Sequence, residues 1–217
     1  MKTYVRHQRG RMFESDFFEF FSKVHPSTPF ILYIPAGLFI FGYAISTHVS
    51  TLAWSLAMLP AGWFGWQLME YALHKSLFHW EGTTPFTRRM HEILHGYHHK
   101  YPDDDNRLVM PIGASLPLAA VIAGALWLFH APYATVPFWV GMLFGYLWYD
   151  FTHWSTHFRT PRTDWGKRMR SHHMAHHFAP GVDDKNFGIS HMWLDRALGT
   201  LRVRDDKEQS APAVSAP

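Results

Sequence analysis

The sequence predicts an all-α integral membrane protein, with four transmembrane helices and two His-rich segments gathered on one side of them. Three observations carry this reading. Residues 24–69 and 108–149 contain no Asp, Glu, Lys or Arg, in a chain whose charged content is 17%. All twenty Lys and Arg lie before the first run, between the two runs, or after the second. Seventeen His equal the Asp plus Glu total, and most of them follow the two runs directly. A charge at the centre of a bilayer costs roughly 2.5 kcal/mol or more, which accounts for the empty stretches. The absence of Cys excludes a disulfide scaffold, a thiolate zinc site, a Cys-ligated cluster and a Cys nucleophile.

The elements follow in chain order. Residues 1–29 form an N-terminal segment in which Phe13, Phe17, Phe18, Phe20, Phe21 and Val24 make an apolar stripe behind Lys2, Arg6, Arg9 and Arg11. This pattern fits an interfacial helix on an anionic leaflet, or a helix packed on the protein's own surface. A span needs about 20 apolar residues, so each charge-free run holds two. The spans are expected at residues 30–47, 52–73, 110–129 and 134–151, with tight turns at 48–51 and 130–133. Pro35, Pro60, Pro117 and Pro137 fall inside them, where neighbouring helices can satisfy the freed carbonyls. Neither tight turn carries Lys or Arg. Both termini, the middle loop and the His clusters are therefore expected in the cytoplasm. Residues 30–204 form the membrane domain, and the polar tail 205–217 is expected to be disordered. A soluble bundle with buried hairpins is the competing architecture.

The histidines carry the chemistry. His74, His79, His95, His98 and His99 follow the second span; His153, His157, His173, His176 and His177 follow the fourth. Spacings of three and four place side chains on one helical face. His95, His98 and His99 thus read as one three-pronged face, His173, His176 and His177 as a second, and His153 with His157 as a pair. His74 and His79 do not fit, because five residues of ideal helix turn through about 500°. Either the helix ends or bulges between them, or they serve different ions. One ion rarely takes more than four imidazoles, so ten ligands imply two ions with about five each. Zinc suits imidazole too, but structural zinc is usually four-coordinate; the higher count at a membrane face favours redox iron. Asp150 and Glu70 lie beside these ligands and are expected to accept the outward N–H of a metal-bound ring. His91 and His172 read as bystanders, and His191 has no assigned role.

These residues resemble the fatty acid hydroxylase and sterol desaturase superfamily of membrane di-iron oxygenases, over about residues 60–200. The resemblance rests on His74-x4-His79, on His95-Gly96-Tyr97-His98-His99 and Pro102-x-Asp104-x-x-Arg107-Leu108-Val109, and on Tyr149-Asp150-x-x-His153-x3-His157. It continues in His173-x-x-His176-His177, Asn186-Phe187-Gly188-Ile189-Ser190 and Asp195-x3-Gly199-Thr200. The stretch from His95 to Val109 is most like the fatty acid 2-hydroxylase branch. The resemblance implies a four-helix membrane unit under a cytoplasmic helical cap holding a His-rich dimetal site, with the ten His as ligands. It implies two iron ions, with zinc able to occupy the same imidazoles, and dioxygen as co-substrate. The implied reaction hydroxylates C2 of a long acyl chain, free or within a ceramide-like lipid. Asp104 and Arg107 are implied to be structural. No His-Pro-Gly-Gly motif of a haem-binding domain occurs in the chain, so electrons are expected from a separate electron-transfer protein. Nucleic acid is not expected as a partner. Sterol or carotenoid hydroxylation or desaturation by the same centre is the alternative activity, and a membrane metal transporter is the alternative class.

Overall fold

In order along the chain, the helices are α1 (Asp16–Phe21), α2 (Thr28–Ser46), α3 (Leu52–Leu73), α4 (Pro85–His91), α5 (Tyr97–Lys100), α6 (Ile112–Trp127), α7 (Pro132–Phe158), α8 (Asp164–Phe178) and α9 (Trp193–Ala197). They come from a computed structural model that describes residues 9–129, 131–182 and 184–202. Lys2, Arg6, residue 130 of the second turn and the 205–217 tail lie outside the described residues. Among the described residues there is no strand.

Local chemistry sets the boundaries. Thr51 caps α3 by accepting from the Trp54 amide, and Thr163 caps α8 by accepting from the Gly166 amide. Thr84 and Thr87 close a reciprocal capping box at α4, with Pro85 in the first turn. His48 turns the chain between α2 and α3 with a positive φ of 58°. The four long helices fall where the spans were expected, and α7 runs seven residues past residue 151. That extension lifts His153 and His157 clear of the apolar stretch. Two stretches, Thr28–Ser46 and Asp105–Trp127, are long and apolar enough by composition to cross a membrane.

The packing centre is the α3–α7 contact, with α2 and α6 against α7. Tyr33, Trp66, Met142, Leu143, Tyr146 and Leu147 form its buried core. Backbones approach closely here. A Cβ on Gly62 would overlap the Phe138 carbonyl, and one on Gly141 would overlap the Leu59 carbonyl. Only glycine lets the two helices meet at this distance.

The N-terminal arm is tied down by charge. Glu19 is the buried residue of α1, while Phe17, Phe18, Phe20 and Phe21 are exposed. Its carboxylate accepts from the Met12 and Phe13 amides and from Arg107. Arg107 also pairs with Asp104 at 2.7 Å and donates to the Tyr97 hydroxyl at 2.8 Å. Burial raises the Glu19 pKa, but these hydrogen bonds and the guanidinium outweigh it and bring it to about 2.

Candidate metal centre

α3 does not stop at Leu73. It continues as one π turn, His74–Phe78, closed by the His79 amide on the His74 carbonyl at 3.2 Å. The wider turn absorbs the extra residue in the five-residue spacing, so His79 Nε2 comes within 3.2 Å of His74 Nε2. A second π turn, Glu92–Gly96, joins α4 to α5 and aims His95, His98 and His99 inward. The C-terminal end of α7 supplies His153 and His157, and α8 supplies His173, His176 and His177.

The ten rings fall into two groups of five. His74, His79, His95, His99 and His176 form one; His98, His153, His157, His173 and His177 form the other. Within each group the ligand nitrogens all lie within 4.8 Å of one another. The expected three-pronged faces are therefore each divided. His95 and His99 serve the first group while His98 serves the second; His173 and His177 serve the second while His176 crosses to the first.

Group one runs His99–His95–His74–His79–His176 through Nε2 contacts of 2.8, 3.0, 3.2 and 2.9 Å. Group two runs His157–His173–His177–His98–His153 through contacts of 2.8, 3.0, 3.0 and 3.0 Å. A ring nitrogen carries either a proton or a lone pair, not both. A row of five can thus make at most two hydrogen bonds across its four contacts, because each nitrogen's single proton or lone pair serves one neighbour, and the other contacts stay close without a bond of their own. A shared cation removes that shortfall. With metal–nitrogen bonds of about 2.0–2.1 Å, neighbouring ligands at right angles stand about 3.0 Å apart and tetrahedral ones about 3.4 Å. The observed spacings match the crowded, five- or six-ligand case.

Burial keeps the rings neutral, as ligands must be. It pushes His98 down to about 3, aided by His74. His95, His173 and His177 are held well below the ordinary value, by burial first and then by neighbouring imidazoles. His79, His99 and His157 are half-buried, and the other seven are buried.

Two outward nitrogens of group one, those of His74 and His176, meet backbone and not carboxylate. His74 Nδ1 lies 2.5 Å from the Phe187 carbonyl, and His176 Nδ1 lies 2.7 Å from that of Lys185. Glu70 holds the same loop: it accepts from the Ile189 and Ser190 amides at 2.7 and 2.8 Å and from the Ser190 hydroxyl at 2.5 Å. Its role as direct partner of His74 is replaced by an indirect one through residues 187–190. Asp150 is buried beside Tyr146, one turn away, and accepts no hydrogen bond from His153. The expected Asp150–imidazole contact is not formed: both Asp150 oxygens and His153 Nδ1 are buried without a hydrogen-bond partner.

Sequence reasoning passed over the loop's organisers. Asp195, fully buried, accepts from the Phe187 and Gly188 amides, both at 2.8 Å, and from the Thr200 hydroxyl at 2.7 Å, with His172 Nε2 at 3.2 Å. Those hydrogen bonds outweigh burial and hold its carboxyl below the usual range. Asn186 takes a positive φ of 59°, which its short polar side chain tolerates; it binds the His172 carbonyl and the Arg202 amide. A Cβ on Gly188 would overlap the His191 carbonyl. The Asn186-Phe187-Gly188 run was the available signal. His172 and His191 lie outside both groups, bound to Asp195 and to the Gln67 carbonyl; His91 also lies outside them.

A small apolar cavity of about 30 Å³ lies among α2, α3, α6 and α7, with Tyr33, Trp66, Ser115, Met142 and Tyr146 in its walls. Trp66 leads through Tyr149, with ring centroids 6.1 Å apart, to His153 at 5.7 Å from Tyr149.

The fatty acid hydroxylase family model matches residues 59–200. A dihydroceramide fatty acyl 2-hydroxylase of Arabidopsis thaliana is 33% identical over 191 residues, covering 88% of this chain and 79% of the relative. The fatty acid 2-hydroxylase of Homo sapiens is 34% identical over 214 residues, covering 88% of this chain and 56% of the relative. A solved structure of full-length scs7p, in which only the hydroxylase domain is visible, superposes with a TM-score of 0.80 at 26% identity, covering 91% of this chain and 72% of that one. With the matched span enclosing all ten grouped histidines, the chain belongs to the fatty acid hydroxylase family.

Proposed function

We propose that this protein is a membrane-bound, oxygen-dependent hydroxylase that places a hydroxyl group on C2 of a long acyl chain, free or within a ceramide-like lipid. The observation that carries the reading is the pair of five-imidazole groups, one of them separated by the Tyr149 ring from a small apolar cavity among the helices. The ten grouped His are the ligands, five to each of two iron ions. When bound, the metal pair supplies the activation of dioxygen that the chemistry needs. The chain supplies the rest. Burial keeps the imidazoles neutral and open to metal. The carbonyls of Phe187 and Lys185 fix the orientation of His74 and His176. The cavity walls at Trp66, Met142 and Tyr146 receive the acyl chain and exclude water, and Tyr149 sets the distance from that cavity to His153.

In this reading residues 30–204 are the hydroxylase domain, and α2, α3, α6 and the first part of α7 cross the membrane. The π turns, α4, α5, α8 and α9 form a cytoplasmic cap. Lys and Arg on one side only support that orientation. Reducing electrons enter from a separate electron-transfer protein. The names of the relatives, which place 2-hydroxylation on fatty acids and dihydroceramides, support the substrate class.

The test is lipid mass spectrometry of a host with and without this chain. An acyl species heavier by one oxygen, fragmenting at C2, is expected. A hydroxylated ring product instead would assign the chain to sterol or carotenoid chemistry.

A further inference from the structure

A groove outside both histidine groups runs between the end of α7, the 159–163 loop and the start of α8. Arg159, Arg162 and Arg170 line it, and no carboxylate does. Nearby Asp164 is turned to Lys167, 3.1 Å away. Two of the cations are set in place. Arg170 Nη1 donates to the Arg159 carbonyl at 2.8 Å, and the Arg159 guanidinium stacks over Trp154 at 5.4 Å. The groove also holds donors without acceptors. Thr152 lines it, is 2% exposed, and its hydroxyl has no partner. The Ser155 hydroxyl, also in the lining, has none either. An unpaired buried hydroxyl is costly, so these atoms point to a ligand rich in acceptors.

The rim says where that ligand comes from. Phe151, Phe158 and Trp165 line the groove with 37%, 37% and 40% of their surface exposed. The Trp165 ring lies 5.5 Å from that of Trp148. An aromatic edge at the end of a span marks the lipid–water boundary, and cations just beyond it attract anionic leaflets. We propose that this groove binds the phosphate of an anionic membrane lipid, with Arg159, Arg162 and Arg170 around the phosphate oxygens, Thr152 and Ser155 donating to them, and the aromatic rim against the glycerol and upper acyl chain. Three fork-shaped guanidiniums suit phosphate geometry, and the lack of a carboxylate leaves no repulsive partner. The assignment rests on the membrane placement proposed above.

The groove adjoins group two through backbone. Arg170 Nη1 also approaches the His157 carbonyl at 3.4 Å, and the Thr156 hydroxyl donates to the His153 carbonyl at 2.7 Å. A lipid seated here braces the α7 turn that presents both rings.

The experiment is native mass spectrometry of the full, metal-loaded chain, released from detergent after exposure to phosphatidylglycerol, to phosphatidylcholine, or to inorganic phosphate alone. Phosphatidylglycerol is expected to be retained in preference to phosphatidylcholine. Arg162→Gln, at an exposed position, and Thr152→Val should each weaken retention about tenfold, the scale of one charge-assisted hydrogen bond, at unchanged metal content. Equal retention of the two lipids, or full retention by both variants, overturns the proposal. Displacement of phosphatidylglycerol by millimolar inorganic phosphate would show that the groove takes the free anion, and would also overturn the lipid assignment. Loss of the membrane reading would register separately, as reporters on the wrong side of the bilayer.

Discussion

His98 and His176 each sit next in sequence to a ligand of the group they do not serve. His98 lies about 100° around the helix from His99, and His176 the same from His177. That rotation carries each ring across to the opposite group. Replacing any grouped His with Ala should abolish hydroxylation and lower bound iron, with His176→Ala depleting the site of His74 and His98→Ala the site of His153. His172→Ala should keep most activity and both metals, since its ring is committed to Asp195. The measurement is iron per chain alongside hydroxylated-lipid yield; equal loss in His172→Ala and His173→Ala would refute the register. The clustering of the His was legible from spacing, while the set of ten came from the family resemblance, since spacing alone left His74 with His79 and the choice between His172 and His173 open. Their division between two ions was not legible, because i, i+3, i+4 spacing describes a face and not the point at which two faces meet. The Asp195 and Asn186 roles were hidden for a different reason: they act through backbone amides and carbonyls, which any sequence provides.

The four long helices were legible as elements because absence of charge is a strong signal over such lengths. The π turns were not. The five-residue His74–His79 spacing indicated a break or bulge without choosing between them, and nothing in residues 92–96 announces the second turn. A π turn is held by its surroundings, in this case by rings converging on a common point, and not by local propensity. The α3–α7 contact makes a prediction of its own. Gly62→Ala or Gly141→Ala sets a methyl group against a carbonyl oxygen. Overpacking of this kind costs about 1–3 kcal/mol or more, and the helices must part to relieve it. Both variants should melt earlier than the parent and bind less metal, read by a thermal melt in detergent with metal analysis. Gly124→Ala, at a position with open space around it, should do neither.

For the whole molecule, the confinement of Lys and Arg predicts topology. Reporters fused after Asp105 and after Pro217 should both be cytoplasmic, and one inserted near Ser50 external; opposite locations for the first two would end the four-span reading. The N-terminal arm adds a pH dependence. The Glu19 carboxyl is lowered from 4.5 to about 2 in the folded protein. Its contribution is therefore complete above the unfolded value and drains away as pH falls from about 4.5 toward 2. Over that window the α1 arm should release from Arg107 and become open to protease, and Glu19→Gln should show the same cleavage at neutral pH. Acid-resistant protection of the arm would contradict this. The arm's attachment was not legible beforehand, because Glu19 is hidden within a run of phenylalanines whose apolar stripe suggested the opposite face as the buried one.

The exchange of His98 and His176 also bears on how the chain comes to hold its metals. Each five-ring group draws four rings from one half of the chain and a fifth from the other, so neither group can be finished by one hairpin alone. During synthesis the first hairpin and its histidines emerge with an incomplete site and must wait for α8. An ion bound to either group would work as a clasp between the halves, closing a loop of roughly eighty residues whose freedom would otherwise favour separation. Chelation should accordingly unfasten the two halves together, giving one concerted loss of structure and not two successive ones.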